Sequence, residues 1–230
     1  MSWTDAGAIG TIRKLKDLYN IKVCVETGTW RGVNAELYAS IFDRVFTVEN
    51  DFLTAEAARR RLKRFGSKVE VIYGDSSLFL KRFKDNSAGS HPPVFIYLDA
   101  HFFKPDEDWV AVEELKALQG FLNCVLCIHD FDNGELGHLI YNDVHFGWDV
   151  IGEYIRKVNP NFHYYTNTRD GCRIYDEDDI KELPITIDVD LLDNLRFANS
   201  SDVKKYRGIL YATPTALDLN QFQLREFINV

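Results

Sequence analysis

Five short apolar runs, each ending on polar or acidic residues and followed by a helical pattern, constrain this chain more than anything else in it. They cover residues 21–25, 44–48, 69–73, 94–98 and 124–128. Two of them, Val-Phe-Ile-Tyr-Leu at 94–98 and Cys-Val-Leu-Cys-Ile at 124–128, show no polar alternation. Unbroken apolar runs of that length are typical of central parallel strands covered on both faces. Helices are expected at about 5–19, from about 34 to 41, at 53–65, briefly after 76, and at 109–118. Five strand–helix alternations in about 130 residues predict a doubly wound, mostly parallel sheet with right-handed crossovers.

The chain has 230 residues, 46% of them hydrophobic and 27% charged, enough to bury the core of one large α/β domain. No apolar run is long enough to span a membrane. The first residues, Met-Ser-Trp-Thr-Asp, carry neither a basic segment nor an apolar core, so no secretory signal is expected. A net charge of −8 and a pI near 5.3 argue against broad binding to a nucleic-acid backbone. Cys124 and Cys127 have the spacing of half a zinc site, but they lie inside an apolar run and no second pair follows. All four cysteines (Cys24, Cys124, Cys127, Cys172) are read as buried free thiols. That fits a reducing compartment, with cytoplasmic localisation as the expectation. The arginine run at 59–64 is read as a solvated face paired with nearby carboxylates.

The first strand leads into Glu26-Thr27-Gly28-Thr29-Trp30-Arg31-Gly32, a turn with two glycines four positions apart, before the helix that starts near Asn34. Glycine lets a backbone turn sharply and approach a ligand with no Cβ in the way. The five runs end on Glu26, Glu49-Asn50, Asp75-Ser76, Asp99-Ala100-His101 and His129-Asp130. In an open parallel sheet these carboxyl ends share one edge, where ligands bind. Helix capping accounts for one or two acidic residues there, but not for five ends with two histidines among them.

As an ordered set, these features resemble the class I S-adenosylmethionine-dependent methyltransferases over roughly residues 20–130. Glu-Thr-Gly-Thr, Leu-Asp-Ala-His and the polar pair after strand five look most like small-molecule O-methyltransferases of the macrocin and catechol type. The resemblance implies a Rossmann-like seven-stranded sheet with helices on both faces, the last two strands being the candidates at 162–166 and 208–212. It implies one methyltransferase-like domain over 1–230: an N-terminal helix (1–20), a cofactor-binding core (21–130), and an acceptor-side region (131–230) with an acidic insertion at 176–193. It also implies methyl transfer to an oxygen of a small-molecule acceptor.

In that reading Glu49, with Asn50 beside it, accepts from the ribose hydroxyls. Gly28 and Gly32, with Thr27 and Thr29 between and around them, let the backbone pass the methionine portion. Glu26 and Asp99 meet its ammonium, and Asp75 with the Ser76 N–H meets adenine. Catalytic candidates are His101, His129 and Asp130, one histidine serving as a base. A divalent cation such as Mg²⁺ is a second cofactor candidate, with Asp99 and Asp130 as its ligands. The pattern departs from the catechol type here, because Asp132-Asn133 comes two residues after Asp130.

Two other functions remain open. Asp99, His101, His129 and Asp130 also suit a metal-dependent hydrolase, and a non-catalytic binding protein could keep the same fold. The loop at 131–148, with His138, Tyr141, His145 and Trp148, is expected to close over an acceptor. The acidic insertion is open as a lid, an oligomer contact or a surface excursion.

Overall fold

The structure, a computed structural model, describes residues 6–87, 93–100, 109–171 and 206–227. The chain opens with α1 (Ala6–Leu18), β1 (Val23–Thr27) and α2 (Val33–Ile41), then β2 (Arg44–Glu49) and α3 (Phe52–Leu62). A 3₁₀ segment, Lys63–Lys68, leads into β3 (Val69–Tyr73), followed by α4 (Ser76–Ser87), β4 (Val94–Leu98), α5 (Val110–Ala117) and β5 (Cys124–Ile128). A small ribbon follows, β6 (Ile140–Tyr141) and β7 (Val144–His145), then α6 (Trp148–Val158), β8 (His163–Asn167), β9 (Leu210–Thr213) and β10 (Leu224–Glu226).

The main sheet has the order β10-β8-β9-β5-β4-β1-β2-β3. β1 to β5 are mutually parallel, with β1 between β2 and β4 and β4 between β1 and β5. β9 enters antiparallel between β5 and β8. The doubly wound expectation holds, and the two late strands sit where the resemblance implies. The sheet has eight strands rather than seven, because Leu224–Glu226 pairs antiparallel with β8. A three-residue edge strand is too short to show a period of two. It is fixed by the Phe227 N–H donating to the Tyr164 carbonyl and by the Phe227 ring against Phe131 and Trp148.

Alternation inside the apolar runs divides the core into two layers. From β4, Phe95 and Tyr97 face one layer with Ile12 and Leu15 of α1, Tyr38 of α2 and Phe42 just after it. Val94, Ile96 and Leu98 face the other with Leu80, Leu115, Ile151 and Ile155 of α4, α5 and α6. Both β4 and β5 are buried along their whole length, which explains why their sequences do not alternate. Cys24, Cys124 and Cys127 are buried free thiols, and burial pushes each of them up. Cys172 and the acidic insertion lie outside the described residues. The arginine run pairs as expected: Arg59 with Glu56, and Arg61 and Arg64 with the buried carboxylate of Glu36 on α2. Among the described residues no helix is long and apolar enough to cross a membrane.

Candidate functional site

The parallel strands β1 to β5 bring their carboxyl ends to one edge. The first strand runs two residues further than its apolar pattern suggests, so Glu26 and Thr27 belong to β1 and not to the turn. Both side chains are fully buried. Glu26 Oε2 accepts from Thr47 Oγ1 at 2.6 Å, and Thr47 Oγ1 is 2.6 Å from Thr29 Oγ1. The other oxygen, Glu26 Oε1, has no hydrogen-bond partner among the described residues. Burial pushes this carboxyl well above the usual range; Asp99 and Glu49 push the same way, and the Thr47 bond opposes them. A cation bound beside Glu26 would satisfy the unpaired oxygen and return the group to a carboxylate.

The turn after β1 is built from residues in the left-handed region: Gly28 (φ 78°), Trp30 (φ 48°) and Gly32 (φ 76°). A Cβ on Gly28 would lie 2.5 Å from the Asp99 carbonyl oxygen, so glycine is required there before any ligand arrives. Gly28→Ala is expected to cost about 1–3 kcal/mol of stability with no cofactor present, read as a lowered thermal midpoint. Trp30, an exposed tryptophan in a conformation costly for a large residue, is held by its N–H donating to Glu49 Oε2 at 2.8 Å. Glu49 Oε1 accepts from the Asp51 N–H at 3.0 Å. Each oxygen of this buried carboxylate thus keeps a lone pair for another donor. Asn50 is exposed beside it.

Asp75 caps α4. Its Oδ1 accepts from Ser77 Oγ at 2.6 Å and from the Leu78 N–H at 2.9 Å. Capping explains an aspartate here without a ligand. Asp99, after β4, is tied to the end of β1 through its N–H, which donates to Thr27 Oγ1 at 3.2 Å.

Asp99 Oδ1 lies 2.9 Å from His129 Nδ1, and Asp130 Oδ1 lies 3.4 Å from the same nitrogen. Asp130 also pairs with the Arg207 guanidinium, which reaches it from just before β9. Burial alone would lower the His129 pKa. The Asp99 and Asp130 carboxylates outweigh it and push the imidazole up to about 9. The two carboxylates thus favour the protonated imidazole, which weighs against the role of base expected of His129. His101 lies outside the described residues.

The divalent-cation expectation also meets a physical objection. Asp99 and Asp130 are already balanced by the His129 imidazolium and the Arg207 guanidinium, and a 2+ ion among them would face both cations. The Asp-Asn pair that the catechol pattern would use is committed elsewhere. Asn133 is buried, its Nδ2 donating to Thr166 Oγ1 at 2.9 Å while its Oδ1 accepts from the Glu135 and Leu136 N–H groups. Asp99, His129 and Asp130 each offer a ligand atom within 4.8 Å of one another, but a cation there would have to displace the Arg207 guanidinium from Asp130 and the proton from His129.

Sequence reasoning missed Glu114, on α5. Its carboxyl is fully buried near the Thr27 and Ser76 hydroxyls, yet neither oxygen makes a hydrogen bond of good geometry among the described residues. Burial pushes it up to about 8, with Asp75 and Asp99 adding to the rise and the two hydroxyls opposing it. Arg207 was also missed, because it lies 77 residues from its partner Asp130. The loop at 131–148 is only in part what the sequence suggests. Trp148 opens α6 and packs against Tyr164 with ring centroids 4.8 Å apart, while His138 and His145 meet across the ribbon.

No protein-family description matches the sequence, and no curated protein matches it either. Solved structures do. One is that of a putative caffeoyl-CoA O-methyltransferase from Staphylococcus aureus, 15% identical, covering 92% of this chain and 84% of that one, with a TM-score of 0.51. Another is the methyltransferase domain of bacterial CtHen1-CN, 10% identical, covering 90% of this chain and 97% of that one, with a TM-score of 0.52. At these identities the likeness is one of fold: the chain shares a Rossmann-like architecture with these two methyltransferase structures.

Proposed function

We propose that the chain binds S-adenosylmethionine at the carboxyl ends of β1 to β4 and transfers its methyl group to an oxygen of a small-molecule acceptor. The observation that carries this reading is the acidic cradle at that edge. Glu26, Glu49, Asp75 and Asp99 stand at four successive strand ends around a glycine turn, and buried Glu26 Oε1 has no partner among the described residues. Such a cradle suits a ligand with an ammonium, a sulfonium and a ribose diol. The fold supports the same reading.

Glu49 would hold the ribose, Gly28 and Gly32 would pass the methionine portion between Thr27 and Thr29, and Glu26 and Asp99 would face the ammonium. Asp75 and Ser76 would meet adenine, with Asn50 at the rim. When bound, the cofactor supplies a methyl group already activated by the sulfonium, so the protein's task is orientation. The His129 imidazolium and Arg207 hold Asp99 and Asp130 in place, and the imidazolium as a hydrogen-bond donor would stabilise an acceptor oxyanion whose proton passes to water. The metal-dependent hydrolase reading is not favoured, because Arg207 takes Asp130.

Isothermal titration tests the proposal. S-adenosylmethionine and its demethylated product are both expected to bind the parent chain. Glu49→Ala is expected to weaken binding by about 1–3 kcal/mol through the loss of charge-assisted hydrogen bonds. A parent that binds neither compound, or a variant that binds as the parent does, would overturn the assignment.

A further inference from the structure

We propose that Asp132, His138 and His145 form a second site, distinct from the strand-end cradle, that binds a divalent cation of the zinc type. The three side chains each offer one ligand atom, and these atoms lie within 4.8 Å of one another. Asp132 Oδ2 is 3.3 Å from His145 Nδ1, and His138 Nε2 is 2.8 Å from the same nitrogen. Ligands about 2.0–2.1 Å from a tetrahedral zinc stand about 3.3 Å apart. The first distance already matches. The second needs to open by about half an ångström, a small rotation of a half-exposed imidazole.

The groups behind the ligand atoms strengthen the assignment. Asp132 Oδ1 accepts from the Gly134 N–H at 2.9 Å, which fixes the carboxylate and leaves Oδ2 for the cation. His138 Nδ1 lies 3.2 Å from the Leu136 carbonyl. A proton on Nδ1 donated to that carbonyl leaves Nε2 with its lone pair toward His145. Metal-binding histidines are commonly oriented by such a second hydrogen bond. His145 is carried on β7, placed opposite Ile140 by a tight turn in which Asn142 and Asp143 both have positive φ.

Two imidazoles and one carboxylate in a chain segment of 14 residues suit zinc and its first-row neighbours, with the fourth position left to water. Unlike Asp130, Asp132 has only these two histidines as ion-pair partners among the described residues. The Leu139 N–H donates to the Asp130 carbonyl and the Asp132 N–H to the Phe146 carbonyl. A bound cation would therefore clamp the ribbon onto the segment that presents Asp130. This inference does not depend on the methyl-transfer reading.

Co²⁺ serves as the spectroscopic probe for the full chain, with Zn²⁺ as competitor. One equivalent of Co²⁺ is expected to bind with visible ligand-field absorption, displaced by Zn²⁺. His138→Gln and His145→Gln are each expected to lower the affinity at least about tenfold. Asp99→Asn is expected to leave it unchanged. Circular dichroism checks that each variant folds, and exposed His145 carries the test if the His138 variant does not. No absorption at a large excess of Co²⁺ would mean a plain hydrogen-bonded triad. A spectrum unaltered in the histidine variants, or lost in Asp99→Asn, would place the metal elsewhere. Any of these results overturns the proposal.

Discussion

His129→Ala is expected to destabilise the fold by about 3–5 kcal/mol, the usual cost of removing one partner from a buried ion pair. His129 sits between Asp99 and Asp130, and the three groups are largely shielded from water. Alanine leaves two carboxylates sharing the one guanidinium of Arg207. The imidazole titrates near 6.5 in the unfolded chain and near 9 in the folded one. A group raised by folding contributes its full stability below pH 6.5 and loses it as pH rises through 9. Denaturant unfolding at pH 6 and pH 10 should show the gap between parent and variant wide at the lower pH and largely closed at the higher. If the methyl-transfer reading holds, parent turnover should also fall above about pH 9, where a histidine base would have kept it level. A gap that stays the same at both pH values would remove His129 as a cation.

Glu114→Gln is expected to stabilise the protein at alkaline pH. In the unfolded chain this carboxyl titrates near 4.5, and in the folded one near 8. Below 4.5 both states hold the proton and folding costs nothing extra. Between 4.5 and 8 the unfolded chain releases the proton while the folded one keeps it, so stability falls as pH rises. At about 1.4 kcal/mol per pH unit, the loss above pH 8 is at most about 5 kcal/mol. Glutamine cannot ionise, so its contribution is flat with pH. The comparison is the unfolding free energy of parent and variant at pH 5 and pH 9. Similar values at pH 5 and a variant ahead by a few kcal/mol at pH 9 are the expected result. Parallel pH profiles would mean that Glu114 is already ionised in the fold. Because His129 loses its contribution over pH 6.5–9, the parent should decline in two overlapping steps, each removed by its own variant.

How much of this could be read from residues alone follows from where each interaction lies in the chain. The runs at 94–98 and 124–128 coincide with β4 and β5 because unalternated apolar segments have only the middle of a sheet to occupy, whereas the run at 69–73 is β3 at the edge of the sheet, where Glu70 and Tyr73 stay exposed. Glu26, Glu49, Asp75 and Asp99 were legible as a set because a parallel sheet sends successive strand ends to one edge. What they bond to was not. The Thr29–Thr47–Glu26 chain depends on the register of β1 against β2, and Glu114 lies on a helix whose apolar stripe gives no hint of a buried carboxyl. The setting of His129 was not legible either, because Asp99 and Arg207 come from distant segments to meet it and its chain neighbour Asp130. β10 was missed because three residues carry no period.

The place of β9 has a consequence for the order in which the molecule is assembled. β9 lies between β5 and β8, so β8 cannot join the sheet until a strand more than forty residues further along has been laid against β5. The turns and carboxylates of the proposed cofactor cradle come from residues 26–99, through neighbouring strands and short crossovers. The contact between Arg207 and Asp130 closes a span of 77 residues and brings that half of the pocket together. Long closures are slow to form, because their entropy cost comes before any contact offsets it. The edge formed by β1 to β4 therefore has the shorter closures to make, and the wall beside Asp130 waits for the longest of them.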